Sequence, residues 1–576
     1  MNLKILLGII ISAGLMLPAC KFDSAENGFN LHVRIQEEPD CLQPIVSQSA
    51  QSTPVECQIM AQMFEYNAGE MVLTPILLDS LTTALQVDDS TLMYRYSFKK
   101  NAKWDDGSPL TAADLEFTVK AALNPFSKNK SWRNPLSNIM NVEASSPDAS
   151  EFKIFVNRNY LLHQEISGNF NLYPEHIYDN KKSLRNFTIA KLKTNDTTAF
   201  TEVEKSQLKS FLASFESAAF CKNQISGAGP YVLDKWLPQS QIVLRKKSSW
   251  WGDAYPNDEM LHAFPDKIIY HVIPDEVAAI NALEEGSVDL VTGVNPQLFI
   301  KWKNDPSKQS KFEFNTPMLQ QYSYIEVNTK NPILEDTLVR QALAHLIPVD
   351  QFIRDQMQGL AQRVIGPVHP SRSYYNKNLK PFTFDPKLAS ELLAKAGWKD
   401  NDQDGVLDKK MGSQNYSLNL QLAINPKDVS KNIALIFQDE AKKVGVRIDV
   451  QMKEWNIVLK EINESNFELV LLNIRQNPGW WDPYPSWHSS NAKPGGTNRS
   501  RFANPQLDTL ISQIQMAPTD VARMEAYRGL QELLYRYQPQ IFLFSPLERI
   551  ISSKRIEMVT TDRKPGFVEN QIRLRK

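Results

Sequence analysis

The sequence predicts an α/β protein of two or more domains, with mixed sheets flanked by helices. Strand and helix patterns alternate along the chain, which is typical of that class. A strand-helix-strand unit over residues 268–291 also favours parallel strand pairing. The chain has 576 residues. That length exceeds what a single apolar core usually supports, so we expect several domains.

The first predicted elements lie before Pro125. Apolar and polar residues alternate over residues 31–35 and 92–99, a pattern typical of half-buried strands. Asp106 and Gly107 indicate a turn. Thr111 then begins a helix, because Asp114 follows three residues later and can complete a capping box.

The pattern of alternating elements continues to the end of the chain. Gly227 and Gly229 are expected to supply backbone freedom before a pair of strands at 231–233 and 242–244. Asp275 begins a helix that Gly286 ends. Apolar periodicity also predicts helices at 340–346, 386–396 and 433–444, and strands at 268–273, 288–291, 446–452 and 467–472.

Composition excludes several classes of function. The chain carries 64 Lys and Arg against 65 Asp and Glu, so it has no overall charge to attract nucleic acid. Apolar residues make up 42% and charged residues 22%, an ordinary globular composition. Apart from the start of the chain, no segment approaches 18 consecutive apolar residues, so we expect no spanning helix.

The first twenty residues are typical of a lipoprotein signal peptide. An apolar run over residues 5–17 is too short to span a bilayer, and it leads into Leu17, Pro18, Ala19 and Cys20. Small residues before a cysteine at that point resemble a bacterial lipobox. That resemblance implies removal of residues 1–19 and lipidation of Cys20. An ordinary secretory signal with an incidental cysteine is the alternative.

The remaining cysteines leave the disulfide pattern open. Cys41 and Cys57 are close enough in sequence for a loop disulfide in an oxidising compartment, or all three remaining thiols are buried and free. In either case Cys221 is expected to be unpaired and buried. The eight histidines do not share ligand spacing on one helix, so we expect no metal site and no cofactor.

Six sequence blocks occur in a fixed order along most of the chain. They are residues 73–81, 103–114, 227–231 with 250–253, 327–329, 339–343, and 384–398. Together they resemble family 5 extracellular solute-binding proteins, the oligopeptide and dipeptide receptors of bacterial ABC importers. The resemblance extends from about Leu31 to about Phe544. Arg340 and Asn328, within these blocks, are expected to organise the second lobe.

This resemblance implies a two-lobed clamp with an extra subdomain in the first lobe. We expect the first lobe at 28–70, 223–294 and 545–576, and the second at 295–544. The extra subdomain is expected at 71–222, including a polar insertion around 179–222 without a core of its own. The chain should cross the hinge near Val294 and Phe544, with ligand enclosed between the lobes.

Residues 400–405 imitate the start of a calcium-binding loop. Asp400, Asp402 and Asp404 take its first, third and fifth positions and Gly405 the sixth. The twelfth position is Met411 instead of a bidentate glutamate. We therefore favour a solvated hairpin turn.

The most ligand-like segment is residues 475–490. It follows a predicted apolar strand, and ligands bind outside the carboxyl ends of strands in open α/β sheets. The candidate ligand-binding residues are Arg475, Trp480, Trp481, Asp482, Tyr484 and Trp487. In this interpretation the rings offer flat apolar walls to a ligand, and Asp482 offers a hydrogen-bond acceptor. The alternative is that the rings only pack within the loop.

The resemblance also implies an aspartate that pairs with the α-amino group of a bound peptide. Aligned on Asp482 and Pro483, that aspartate falls at Gly479, so this chain departs from the pattern. Asp482 is the alternative carboxylate, and recognition of a free peptide N-terminus is in doubt.

We therefore expect a non-enzymatic receptor, lipid-anchored in the cell envelope, that delivers an oligopeptide to ABC permease subunits and acts as a monomer. An oligosaccharide receptor of the same fold is the close alternative. A sensory receptor and an envelope hydrolase are alternatives of other classes. The hydrolase is disfavoured because the chain has no G-x-S-x-G, H-E-x-x-H or P-loop motif.

Overall fold

The structure, a computed structural model, describes residues 28–67, 72–194 and 196–576. It is an α/β protein with two large sheets, each at the centre of one lobe, a four-stranded sheet in a subdomain, and three two-stranded sheets. The expected signal peptide and Cys20 lie outside the described residues.

The first lobe is built on a seven-stranded mixed sheet. Its strand order is Phe312–Asn315, Ile550–Ser553, Leu290–Val291, Asn30–Ile35, Lys267–Val272, Gln241–Lys246 and Tyr231–Leu237. The helices of this lobe are Ser52–Ile59, Glu276–Glu285, Pro296–Lys303 and Pro306–Gln309.

The expected parallel unit is present in this sheet. Asn30–Ile35 pairs in parallel with both Lys267–Val272 and Leu290–Val291, and the helix between those two strands crosses over the sheet. Asp275 caps that helix by accepting a hydrogen bond from the Ala278 amide at 2.8 Å. Gly286 ends the helix at φ +80°, a conformation that glycine adopts without a Cβ clash.

The extra subdomain carries a four-stranded antiparallel sheet in the order Leu85–Gln86, Thr91–Ser97, Glu151–Asn157 and Ile139–Ala144. Thr111 and Asp114 form the expected capping box of helix Ala112–Ala122. The other helices are Arg133–Leu136, His163–Ile166, Glu175–Tyr178, Ile189–Leu192, Glu202–Phe215 and Ala218–Lys222. Apolar residues of the polar insertion, including Leu208 and Phe211, join the core of the first lobe.

The second lobe is built on a six-stranded mixed sheet. Its strand order is Ala361–Arg363, Gln540–Pro546, Gln321–Val327, Leu469–Arg475, Asn419–Ile424 and Arg447–Met452. Apolar cores cover both of its faces. The helices are Thr337–His345, Val349–Asp355, Pro386–Lys395, Asp428–Lys442, Trp455–Glu464, Tyr484–Trp487, Pro505–Met516 and Asp520–Tyr537.

The first hinge crossing lies further along the chain than expected. Strand Phe312–Asn315 pairs with Ile550–Ser553 in the first lobe, and Gln321–Val327 pairs with Gln540–Pro546 in the second. The two crossings therefore fall at residues 316–320 and 547–549. The boundary expected at Val294 is wrong, because the helix after it packs Phe299 and Trp302 into a core of the first lobe.

Cys41 forms a disulfide with Cys221, not with Cys57. The bond joins the segment after the first strand to the end of the polar insertion, across a sequence separation of 180 residues. Cys57 is a free thiol with an exposed side chain. The prediction of a Cys41–Cys57 pair is therefore wrong, because closeness in sequence did not bring these two residues together in the fold.

Gly227 and Gly229 are required for close approach and not for backbone freedom. Neither has a positive φ, and a Cβ on Gly229 would lie 2.7 Å from the carbonyl oxygens of Gln58 and Ile59. Such a contact is sterically forbidden, so these glycines allow their segment to pack against the end of helix Ser52–Ile59.

Candidate functional site

The cleft between the lobes contains a cavity beside the hinge. Strand Leu469–Arg475 of the second lobe ends at this cleft, and Arg475 lines a cavity of about 110 Å³. The first lobe contributes Arg34, Thr53 and Lys564 to the same cavity, and the hinge contributes Glu548. The carboxyl edge of the sheet therefore faces the cleft, as ligand-binding edges of α/β sheets do.

Arg475 and Lys564 bring two cations to this cavity from opposite lobes. Within the described residues, no hydrogen bond reaches the guanidinium of Arg475 or the ammonium of Lys564, and both side chains are solvent-accessible. Enclosure by protein lowers the pKa of each, and the Glu548 carboxylate partly opposes that shift. Because both side chains reach solvent, each carries the positive charge usual for arginine and lysine at neutral pH.

Glu548 only partly balances these charges, because it supplies one negative charge against two cations, and burial raises the pKa of Glu569, the other carboxyl that lines the cavity, to about 8. One oxygen of Glu548 accepts hydrogen bonds from the Gly293 amide at 2.8 Å and the Arg549 amide at 2.9 Å. Arg34 and Arg549 instead donate to backbone carbonyls, including those of Ile273 and Leu547. The cavity is therefore suited to an anionic group that approaches Arg475 and Lys564 together.

The loop after Arg475 is held by stacked rings. Trp480 stacks on Tyr374 at 5.0 Å between ring centroids and on Tyr527 at 5.8 Å, and the guanidinium of Arg523 lies 5.1 Å from its ring. The Tyr374 hydroxyl accepts a hydrogen bond from the Trp481 amide at 3.1 Å, and Tyr527 donates to the Trp481 carbonyl. These contacts fix the loop backbone while leaving the Trp481 ring half-buried.

The other predicted residues of this loop have different surroundings. Trp487 is 1% exposed and packs in a core of the second lobe, so it offers no ring surface to the cleft in this conformation. Tyr484 stacks on His488 with ring centroids 4.5 Å apart. Asp482 accepts a hydrogen bond from the Tyr484 amide at 3.0 Å, and burial raises the pKa of its carboxyl.

Gly479 meets the first lobe directly. It has φ +81°, and the hydroxyl of Tyr66 occupies the space that a Cβ at this position would need. The same hydroxyl donates a hydrogen bond to Glu165 of the subdomain at 2.7 Å. Any side chain at position 479 would therefore require Tyr66 to move in this arrangement.

Sequence reasoning missed two charged residues at the interface between the lobes. Lys564 stands in a C-terminal segment without a recognisable motif, and Glu165 lies on a single-turn helix, His163–Ile166. Only the tertiary fold brings them to the cleft, since both are distant in sequence from the loop at 475–490. Burial raises the pKa of Glu165, while the hydrogen bond from Tyr66 opposes that shift.

Arg340 and Asn328 have the structural roles expected of them. Arg340 is 2% exposed and donates to the carbonyls of Leu334 at 2.7 Å and Tyr537 at 2.9 Å. Asn328 donates to the carbonyl of Phe467 at 2.9 Å. Both side chains therefore tie loops of the second lobe to its helices and strands.

Residues 400–405, which resemble the start of a calcium-binding loop, form an exposed turn. Lys399 and Asp408 pair at this turn as an isolated β-bridge. Carboxylate oxygens of Asp400, Asp402 and Asp408 lie within 4.8 Å of one another. Asp400 accepts a hydrogen bond from the Gly405 amide at 3.1 Å, as in an ordinary capped turn.

Within residues 28–67, 72–194 and 196–576, no helix combines the length and the apolar character that a membrane span needs.

Comparison with known proteins gives matches over nearly the whole chain. The oligopeptide-binding protein AppA of Bacillus subtilis is 24% identical over 583 residues, covering 96% of this chain and 95% of AppA. The solved structure of AppA with a nonapeptide has a TM-score of 0.71 at 22% identity and covers 95% of this chain and 99% of that one. Helicobacter pylori DppA, solved with the peptide STSA, has a TM-score of 0.73 at 18% identity and the same coverage.

These structural matches establish the two-lobed fold. The family described as "Bacterial extracellular solute-binding proteins, family 5 Middle" matches residues 74–498, well over half of the chain. Its members are extracytoplasmic binding proteins. The chain therefore belongs to the family 5 bacterial extracellular solute-binding proteins.

Proposed function

We propose that this protein captures an oligopeptide between its lobes and delivers it to the permease subunits of an ABC importer. The observation that carries the proposal is the pair of cations, Arg475 and Lys564, that face one cavity from opposite lobes without hydrogen-bond partners in the described chain. A peptide carboxylate is an anion of suitable size for such a pair. The names of AppA and DppA, and the peptides in their solved structures, support the same ligand class.

The arrangement of charges explains why the ligand would favour closure. The two cations repel each other across the cleft, and enclosure by protein strengthens that repulsion. An anionic group between them reverses the sign of the interaction and stabilises the closed form relative to the open form. A neutral oligosaccharide lacks such a charge, so this cavity favours the peptide over the sugar alternative.

The loop at 476–488 supplies the second part of the proposed site. Trp481 is half-buried on a backbone that Tyr374 and Tyr527 hold in place, so its ring is preorganised for contact with a ligand. Asp482 is the acceptor within this loop for an amide or ammonium group of the ligand. Trp480 and Tyr484 shape the loop around these two residues.

The binding experiment compares penta-alanine with its C-terminal amide by calorimetric titration. If the two cations receive the carboxylate, amidation should weaken binding about tenfold or more, as loss of a charge-assisted contact does. Arg475→Met and Lys564→Met should each reduce this difference. Arg447→Met is the matched control, because Arg447 is exposed at the opposite end of the edge strand Arg447–Met452, two strands away in the same sheet.

Equal affinity for the acid and the amide would count against the cation pair as a carboxylate site. Small-angle scattering on the same samples tests closure, since saturating peptide should reduce the radius of gyration. Mass spectrometry of ligand that copurifies with the protein would identify the natural ligand class directly.

We further propose that the protein works as a monomer attached to a membrane through lipid on Cys20, and that it acts without enzymatic activity. The small residues before Cys20 and the apolar run preceding them support the anchor.

A further inference from the structure

A second cavity lies in the first lobe beside the cleft. It has a volume of about 190 Å³ and lies between helix Ser52–Ile59 and the C-terminal segment 561–571. Lys564 lines both this cavity and the cleft cavity, and Tyr66 at its rim meets Gly479 of the second lobe. The cavity is therefore positioned to receive a group from a ligand held between the lobes.

The walls of this cavity combine aromatic and apolar side chains with charged ones, which include the carboxylates of Glu65 and Glu259 and the cations of Arg563 and Lys564. Trp250, Trp251 and Phe567 line it together with Met60 and Ile76. Both indole N–H groups donate to the Ala228 carbonyl, at 3.2 and 2.8 Å, so the tryptophans need no further partner. Such walls suit a long aliphatic stem, and aromatic faces also attract a cationic head group.

Two buried polar side chains that line the cavity have oxygens without partners in the described residues, and one of them, Glu569, also lines the cleft cavity. Glu569 is 3% exposed and Gln58 is 2% exposed. Gln58 donates through Nε2 to one Glu569 carboxyl oxygen at 3.3 Å. Within the described residues, the other Glu569 oxygen and the Gln58 amide oxygen have no hydrogen-bond partner. Buried polar atoms are normally paired, so these two oxygens indicate a missing donor.

We propose that this cavity binds a positively charged side chain of the peptide ligand, with Glu569 and Gln58 accepting its hydrogen bonds. The assignment rests on the peptide function proposed above. An ammonium or guanidinium group has several N–H donors and can satisfy both oxygens at once. A bound cation favours the ionised form of Glu569, and the resulting carboxylate supplies the opposite charge that a buried cation requires.

Helix Ser52–Ile59 supplies a matched control for this site. Glu56 is 5% exposed and also has a carboxyl oxygen without a hydrogen-bond partner in the described chain. It does not line the cavity, and its carboxyl is close enough to Asp40 for the two charges to interact. Glu56→Gln therefore changes a comparable buried carboxyl without changing the proposed binding group.

The test uses penta-alanine in which each position in turn carries either lysine or norleucine, which share a stem but differ in charge. Calorimetric titration should find one position at which lysine binds at least tenfold more tightly than norleucine. Glu569→Gln should reduce that ratio at least fivefold, and Gln58→Met should reduce it as well. Glu56→Gln should leave the ratio unchanged, and melting curves should confirm that each variant is folded.

Three outcomes overturn the proposal. If penta-alanine binds but lysine exceeds norleucine at no position, the assignment of this cavity is wrong while the peptide function stands. If the lysine preference survives in folded Glu569→Gln and Gln58→Met, another site provides it. If no member of the peptide set binds, the peptide function and the cavity assignment both fail.

Discussion

The hydroxyl of Tyr66 in the first lobe fills the space beside Gly479 in the second lobe that any larger residue would need. This contact joins the aromatic loop to the opposite lobe, and it depends on a residue without a side chain. Tyr66 is itself oriented by its hydrogen bond to Glu165 at 2.7 Å.

Gly479→Ala should therefore weaken closure on a ligand. The added methyl group would collide with Tyr66, and φ +81° costs a non-glycine residue roughly 1–2 kcal/mol. Gly495→Ala is the matched control, since Gly495 has φ +72° but open space around its Cβ position. Titration with penta-alanine should show weaker binding for Gly479→Ala alone. A similar loss in both variants would indicate a backbone effect without a role for the Tyr66 contact.

Trp481 and Trp487 should respond differently to truncation. Trp481 is half-buried in the loop at 476–488. If its ring contacts the ligand, Trp481→Ala should lose on the order of 1–3 kcal/mol of binding free energy and little stability. Trp487 is 1% exposed in a core, so Trp487→Ala should lower the free energy of unfolding by roughly 3–5 kcal/mol. Titration and urea unfolding of both variants check this. Full affinity with a large stability loss for Trp481→Ala would leave that ring only a packing role.

Glu569 should make stability depend on pH. Burial raises the pKa of its carboxyl from 4.5 to about 8. The folded state therefore binds the proton more tightly than the unfolded state. Below pH 4.5, the protonated Glu569 makes its full contribution to the free energy of unfolding. Between pH 4.5 and about pH 8, this contribution falls by roughly 1.4 kcal/mol per pH unit.

Glu569→Gln removes this titration, so the variant should gain stability relative to the native chain at pH 8.5 but not at pH 4.5. Urea unfolding of both proteins at the two pH values gives the comparison. The same difference at both pH values would mean that the Glu569 pKa is close to its ordinary value in the folded protein.

Removal of the disulfide should destabilise the fold. Cys41 and Cys221 are 4% and 8% exposed, and their bond closes a long loop that contains the subdomain. The double variant Cys41→Ser with Cys221→Ser should lose about 2–5 kcal/mol of unfolding free energy. Cys57→Ser is the control and should cost little. Peptide mapping without reductant should recover Cys41 linked to Cys221; a Cys41–Cys57 link would contradict the structure.

Cys20→Ala should release the protein from the membrane fraction. The prediction follows from the apolar run and the residues Leu17, Pro18 and Ala19 before this cysteine. Fractionation of cells that express either form, followed by mass spectrometry of the mature N-terminus, checks it. Equal membrane retention of the two forms would exclude lipid on Cys20 as the anchor.

Features with local physical causes could be predicted from the sequence. The capping box of Thr111 and Asp114, and the helix between Asp275 and Gly286, need only residues within a few positions of one another. The position of Arg475 at the end of a strand follows in the same way, because an apolar run marks the strand. These signals were sufficient to place Arg475 at the end of a strand that reaches the cleft.

Features that depend on distant residues could not be predicted in this way. Cys41 pairs with a residue 180 positions away, and Lys564 reaches the cleft only because the C-terminal segment returns to the first lobe. The first crossing lies later than the sequence predicts, because the local pattern of helix Pro296–Lys303 does not indicate which lobe it packs in. Its packing partners, which include Leu283 and Phe312, decide where it belongs.

The paired crossing segments also determine which movements the lobes can make. Residues 312–327 and 540–553 run antiparallel through both sheets, and Met318 and Leu547 still pair at the crossing itself. A two-stranded ribbon twists and bends far more easily than its strands slide past each other, since sliding breaks its ladder of hydrogen bonds. Ligand binding therefore changes the angle between the two lobes. A membrane partner that contacts both lobes can distinguish the bound from the unbound protein by this angle, without contacting the ligand.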